Sequence, residues 1–474
     1  MTHFTPHRSA ARASLPHRPT LRRLSALVAL AAGLLGAGSG QAVELGSYVS
    51  LTGVAKINVL QASNQCATCQ RFPFEGKQKD WADELVPGTS YGTATTYFAL
   101  LNPFLEARYD LGRGFKVSGL LSQRWRNTEG SNLKGLSEDI AGSKYFAKNV
   151  AISHEDYGSL RIGVMPTRGW SVADYPYATN IGNSYAWADN GAGYGVNTNA
   201  VRYTTRQFDV FNGDLVLEAT YDKGNDQFKV NKPRFWEFYG QFHRDALVID
   251  AMYQDGRNGS PQAFTKGLFT GLTPDPVDDA KLGSSGQSML LVMARYQLTS
   301  RLEATAGYRR NRWSGAYGVC TQFVDGNCRY NNMFNVNWGG TDANGVPDPG
   351  YVATSNDVMA GLRFQEGPYA VYGALTYLGK AKTSNPSQRG QDNTALIAGL
   401  GASYDFNRAW QVHAEIGGVS YGQSPQSSGC GNRVRDPGSC TLGPMSLGAN
   451  AYGGVDSRIS KTGNWFGAGV DFKF

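Results

Sequence analysis

Past residue 42 the chain has no apolar run long enough to cross a membrane as a helix, which takes about 20 residues. It has no proline-rich hinge, no block of like charge and no shift of composition that would mark a linker, so one domain is expected. Cysteine is scarce, at six in 474 residues. Beyond residue 42 histidine is reduced to His154, His243 and His413. His154 follows Ser153, and on a strand the two point to opposite faces; His243 sits in a turn; His413 shares a face with Glu415 but has no nucleophile placed beside it. Lys461-Thr462-Gly463 and Ser131-Asn132-Leu133-Lys134 match two β-lactamase motifs, but the S-D-N element is absent. No phosphate-cradling loop and no metal-ligand cluster is present, so no catalytic residue, cofactor or metal is expected. The formal charge of +7 comes mostly from five arginines near the N-terminus. The near-neutral remainder carries no footprint for nucleic acid.

What the chain does have is alternation. Its last eleven residues, Asn464–Phe474, read NWFGAGVDFKF. Phe466, Ala468, Val470, Phe472 and Phe474 fall on one face, and Trp465, Gly467, Gly469, Asp471 and Lys473 on the other. That period of two is the mark of a strand with one apolar and one polar face. An apolar face that runs to the last residue needs a permanent partner. In a closed transmembrane barrel lipid supplies it, and pairing of the last strand with the first leaves no open edge. The first such segment, Tyr48–Leu60, puts Val49, Leu51, Gly53, Ala55, Ile57 and Val59 on one face. Between the two, seven short turns such as Leu111–Gly114, Asp156–Gly158, Asn212–Asp214 and His243–Asp245 alternate with eight long connections such as Gln61–Thr96 and Pro166–Thr198. The expectation is an all-β, antiparallel transmembrane barrel of about 16 strands, with short periplasmic turns and long extracellular loops. Glycine is abundant (59) and mean hydropathy is negative (−0.37), which a barrel allows because only alternate residues face lipid.

The N-terminus reads as a segment for export. Arg8, Arg12, Arg18, Arg22 and Arg23 precede the apolar run Leu24–Gly38, and Gly40-Gln41-Ala42 fits a small-x-small cleavage site. Residues 1–42 are therefore expected to be a cleaved signal peptide and 43–474 a single barrel domain. Each cysteine pair, Cys66/Cys69, Cys320/Cys328 and Cys430/Cys440, lies within one long loop, the first, sixth and eighth. In an exported chain such pairs read as local disulfides. Cys66-Ala67-Thr68-Cys69 has no second C-x-x-C and no nearby histidine to make a metal or redox site.

With this pattern in place, short motifs resemble the Gram-negative general porins. Val150–Met165, VAISHEDYGSLRIGVM, looks like their fourth and fifth strands, with Gly158, Ser159, Leu160 and Gly163 matching G-(S/T)-L-x-x-G. Asn199-Ala200-Val201-Arg202-Tyr203 looks like their N-S-V-R-Y, and YVSLTGVAKINV resembles their first strand, V-T-L-Y-G, with Thr52-Gly53 standing where the Tyr is expected. The terminal Phe466, Val470, Phe472 and Phe474 resemble the C-terminal signal of bacterial outer-membrane proteins, read in that family by the barrel-assembly machinery. The resemblance implies an outer-membrane homotrimer, surrounded by lipid, whose water-filled lumen passes small hydrophilic solutes and ions by diffusion. It also implies that the connection after the fifth strand, Pro166–Thr198, folds into the pore and narrows it.

By phase, Arg108, Arg124, Arg161 and Arg202 fall on lumen faces, while that connection brings Arg168, Asp174 and Asp189. Basic groups near a narrow aqueous passage attract anions, so a weak anion preference is expected. A substrate-specific channel for a sugar or aromatic acid stands as the alternative. A scaffold, adhesin or barrel enzyme stands behind it.

Overall fold

Alternation of apolar and polar residues produces sixteen long strands. A computed structural model describes residues 43–63, 94–126, 134–135, 145–169, 196–223, 234–257, 275–276, 286–314, 317–324, 327–331, 352–379, 382–383, 394–421 and 462–474. The long strands are β1 (Val49–Ser63), β2 (Ala94–Gly112), β3 (Phe115–Ser122), β4 (Ala147–His154), β5 (Gly158–Pro166), β6 (Val196–Thr204), β7 (Gly213–Asp222) and β8 (Arg234–Arg244). They continue as β9 (Leu247–Arg257), β10 (Gly286–Gln297), β11 (Leu302–Ser314), β12 (Val352–Glu366), β13 (Tyr369–Leu378), β14 (Ala395–Asp405), β15 (Trp410–Tyr421) and β16 (Thr462–Lys473). Each pairs antiparallel with the next, and β16 pairs with β1 from Val54↔Lys473 to Ser63↔Asn464, closing a sixteen-stranded barrel. Among the described residues no helix is long and apolar enough to cross a membrane, and the crossing elements are strands.

The turns alternate short and long as the sequence implies, with small slips. The β2–β3 turn carries Arg113 and Gly114 at φ of 56° and 82°. The turn before β7 centres on Phe211-Asn212, at φ of 53° and 57°, between the paired residues Val210 and Gly213. Two central residues with positive φ define the hairpin turn whose twist matches its strands. Sequence places that turn at Asn212–Asp214, one residue late, because Phe is a poor signal for positive φ. The β8–β9 turn likewise lies between Arg244 and Leu247, with Asp245 at φ 49°. In the sixth long connection, Tyr317–Val324 pairs with Asn327–Asn331, so Cys320 and Cys328 lie on adjoining strands of one hairpin. Their register partners are Tyr330 and Phe323, not one another. The side chains of this hairpin, like Cys66, Cys69, Cys430, Cys440 and residues 1–42, lie outside the described residues.

Burial separates the two faces. Val150, Ile162, Phe238, Leu362, Leu375, Leu400 and Ile416 point outward and are exposed, whereas Asn149, Arg202, Glu237, Asp357 and Glu415 point inward and are buried. This inside-out distribution suits a barrel with hydrocarbon outside and polar groups within. Aromatic rings gather near the short turns: Tyr48 against Tyr109 at 5.5 Å, Tyr369 against Tyr404 at 4.8 Å, and Trp410 against Phe472 at 4.6 Å. Such a girdle is expected where hydrocarbon meets headgroups.

Closure rests on one close fit. Gly53 N–H donates to Phe474 O at 2.7 Å, and Phe474 N–H donates back to Gly53 O at 3.1 Å. A Cβ at Gly53 would stand 2.5 Å from Phe474 Cζ, so the terminal ring occupies the space that a side chain would fill. We expect Gly53→Val to displace that ring and lower the temperature at which the barrel loses its heat-modifiable gel mobility. An unchanged transition would remove the close fit from the account of closure.

Candidate functional site at the root of the third long connection

One row of inward residues crosses the wall through successive register pairs: Arg108, Ser118, Ala151, Arg161, Arg202, Thr220, Glu237 and Gln254. Three of the expected lumen arginines therefore share a row, although they come from three separate strands. Arg108, 73% exposed, forms an ion pair with Glu106 at 2.7 Å. Arg161 donates to Asn149 Oδ1 at 2.6 Å and has no carboxylate within ion-pair distance among the described residues. Arg202 is buried; its Nε lies 3.1 Å from Glu218 Oε1 and its Nη2 lies 3.2 Å from Glu237 Oε1. Arg124 packs its guanidinium over the Phe146 ring at 5.7 Å.

The third long connection leaves β5 directly over this row. Arg168 forms a two-pronged contact with Glu218, with Nε to Oε1 at 2.7 Å and Nη2 to Oε2 at 2.6 Å. Its backbone N–H points at both Glu237 oxygens, each at 2.9 Å. Arg202 Nη2 also donates to Pro166 O at 2.9 Å, and Gln254 donates to Glu237. Within β6, Thr198 N–H donates to Asp222 Oδ2 on the neighbouring strand at 2.8 Å. Glu218, Asp222 and Glu237 are each at most 4% exposed. Burial works against the Arg168 charge, but the hydrogen bond and attraction of Glu218 outweigh it and hold the guanidinium above its usual range. Buried carboxylates on β7 and β8, Glu218 and Glu237, thus fix the start of the connection to the wall.

The sequence offers arginines on the wall and Arg168, Asp174 and Asp189 on the connection. At the described root the connection brings the arginine, and the wall brings the acids. Arg202 keeps its lumen-side position, but its charge is met by Glu218 and Glu237 rather than by the passage. Asp174 and Asp189 lie outside the described residues. Glu218, Asp222 and Glu237 are the residues that sequence reasoning missed. Their signal is the same alternation that found the arginines, applied to acids.

The inner wall is not uniformly polar. Met252, Leu291, Met289, Met293 and Met359, on β9, β10 and β12, form a buried cluster against Tyr239. Phe146, Ala147 and Val196 form another against Phe104, Leu120 and Val164. The terminal residues follow their phase. Phe466 and Val470 are exposed outward, and Phe472 is covered by Trp410 and by Phe474, 5.6 Å away. Among the described residues no group of His, Cys, Asp and Glu is arranged to hold a metal ion.

No protein-family model matches the chain. No curated protein matches it either. Solved structures do. A loop L8 deletion mutant of OmpT, an outer membrane protein of Vibrio cholerae, is 11% identical; the match covers 90% of this chain and 100% of that one, with a TM-score of 0.51. In-vitro folded OmpT of the same organism, in its trimer form, has the same identity, coverage and TM-score. A mutant of the Rh. blastica porin is also 11% identical over 90% of this chain and all of its own, at a TM-score of 0.44. At this identity the likeness is one of fold: the chain forms a closed sixteen-stranded antiparallel β-barrel of the kind found in outer-membrane proteins.

Proposed function

We propose that the protein is a passive channel of the bacterial outer membrane. The observation that carries this reading is the start of the third long connection, where Arg168 is held against the inner wall by Glu218 and Glu237, beside the row that carries Arg161 and Arg202. A barrel built only as a scaffold has no need to hold the start of a long connection against its inner wall. The apolar outer band and the aromatic girdle support placement in a lipid bilayer. Residues 1–42 direct export, and the aromatic strand ending at Phe474 is offered to the barrel-assembly machinery. The working unit is a homotrimer, a reading supported by the trimer form of the similar OmpT structure. The channel passes small hydrophilic solutes and ions, carries out no catalysis and needs no cofactor. Three disulfides within loops stiffen its outer face, and peptide mass mapping without reduction should return Cys66–Cys69, Cys320–Cys328 and Cys430–Cys440. A bridge between loops would overturn that grouping.

Selectivity is weakly for anions. Arg161 supports this, because among the described residues it is held by a neutral partner, whereas Arg168 and Arg202 are matched by carboxylates. Reconstitution in a planar bilayer tests both claims. A large, linear conductance is expected, with a zero-current potential in a salt gradient that favours anions. The preference should fade with salt, because screening acts over about 10 Å at 0.1 M. Neutralising Arg124 and Arg161 together should move that potential toward cations, and neutralising Asp174 and Asp189 should move it the other way. Block by one sugar or aromatic acid would select a substrate-specific channel instead, and no conductance would select a scaffold. A wild-type channel already preferring cations would overturn the selectivity.

A further inference from the structure

High on the outer wall, one sector of the barrel carries charge directly above its apolar belt. Register pairs lay out rows of outward residues across β8 to β12, in order toward the long connections. The first row, Gly240, Ala251, Val292, Tyr308 and Val358, holds no charged side chain. The second is Phe238, Tyr253, Leu290, Arg310 and Asn356, and the third is Trp236, Asp255, Ser288, Arg312 and Thr354. The next begins with Arg234 opposite Arg257. Phe238, Tyr253, Leu290, Val292, Tyr308 and Val358 are exposed. Arg257, Arg310 and Arg312 are exposed above them, and the Arg234 side chain is half-exposed. Arg309 and Asn311, which alternate with Arg310 and Arg312, are buried on the inner face, so period two points the other two outward.

Asp255 is the one carboxylate in these rows, and it lies 3.8 Å from Arg234. One acid therefore stands against four guanidinium groups. At the corresponding ends of β13, β14 and β15 the outward residues are Tyr377, Leu396 and Ser420, so the charge belongs to this sector and not to the whole rim. An arginine on the lipid face is costly at mid-depth and tolerated near the interface, where headgroups begin. Its planar fork takes a phosphate through two parallel N–H bonds.

We propose that this sector holds a phosphate-bearing lipid headgroup of the outer leaflet, a reading that rests on placing the barrel in the outer membrane with its long connections outward. The phosphate sits against Arg310 and Arg312, with Arg257 beside them. The acyl chains lie down the belt over Leu290, Val292 and Val358. Patch and belt together match the two parts of such a lipid. A soluble anion would use the arginines alone, and a second copy docked through the same sector would set arginine against arginine.

Native mass spectrometry of the detergent-purified barrel, titrated with lipid A, tests this without reading conductance. Wild type should retain lipid A more tightly than lipid A stripped of its phosphates, and the difference should shrink as salt is raised. Arg310→Gln combined with Arg312→Gln should weaken lipid A binding about tenfold or more, as loss of a charge-assisted pair would. Arg301→Gln, at the short-turn end of the same strand, should leave it unchanged. Equal retention of the two lipids by wild type overturns the proposal. So does a double variant that binds as wild type does, or an Arg301→Gln variant that loses as much. Inorganic phosphate bound as tightly as lipid A would assign the sector to a free anion and overturn the lipid. Should the double variant fail to assemble, the comparison of the two lipids on wild type decides. Conductance of wild type and double variant in a planar bilayer should be alike. A silent channel that still discriminates the lipids would sink the channel reading and leave the lipid site in place.

Discussion

Deleting Asp471–Phe474 is expected to abolish folded barrel, not merely to weaken it. The four residues carry four separate contacts of the closing strand: the ion pair of Asp471 with Lys56, the packing of Phe472 on Trp410, the bond from Lys473 N–H to Ala409 O, and the reciprocal pair between Phe474 and Gly53. Within a membrane each unpaired backbone group left on β1 would lack a partner, at several kcal/mol apiece. No adjustment of side chains can offset that. Outer-membrane fractionation and gel mobility with and without heating measure the outcome, and normal folded yield from the shortened chain would sink the role given to this strand. A polar residue in place of Phe474 alone should lower yield less, because its backbone pair with Gly53 can persist.

The second large effect is expected at Glu237. Its carboxylate meets Arg202 and the backbone N–H of Arg168 at once, and it is 1% exposed. Glu237→Ala removes one partner of a buried ion pair and leaves the other charge in place. Disruption of this kind destabilises by about 3–5 kcal/mol. The sixteen-strand ladder does not depend on that side chain, so the barrel should still assemble. The change should appear where Glu237 acts, at the attachment of the Pro166–Thr198 connection. Single-channel records should show greater conductance with added open-state noise. Glu237→Gln keeps the size but not the charge and should fall between. Records indistinguishable from wild type, from barrels that fold normally, would show that this attachment does not set the bore.

Much of the barrel was legible because a strand repeats every two residues and lipid demands strict outward apolarity. Phe466, Val470, Arg161 and Arg202 all point where their phase placed them. Turn positions were readable where glycine marks positive φ, as at Gly114, and slipped where Phe211 adopts it unsignalled. The site was only half legible. Alternation says that Glu218 and Glu237 face inward, but not that Arg168 and Arg202 converge on them. Arg168 and Glu237 are 69 residues apart in sequence, and their meeting depends on where a connection leaves the wall. The methionine cluster of β9, β10 and β12 was hidden for a related reason. Period two assigns a residue to the inner face without saying whether that stretch of wall is wet.

The bond between Gly53 and Phe474 also has a kinetic side. It joins the first long strand to Phe474, so among the described residues a contact of very great sequence separation is the one that completes the barrel. Contacts of high sequence separation form slowly, because the entropy of the intervening chain is lost before they return anything. Every hairpin from β2–β3 to β14–β15 can form locally beforehand. The rate of appearance of closed barrel should therefore follow the docking of Phe474 over Gly53, and substitutions in the central hairpins should alter that rate less than substitutions in this one pair.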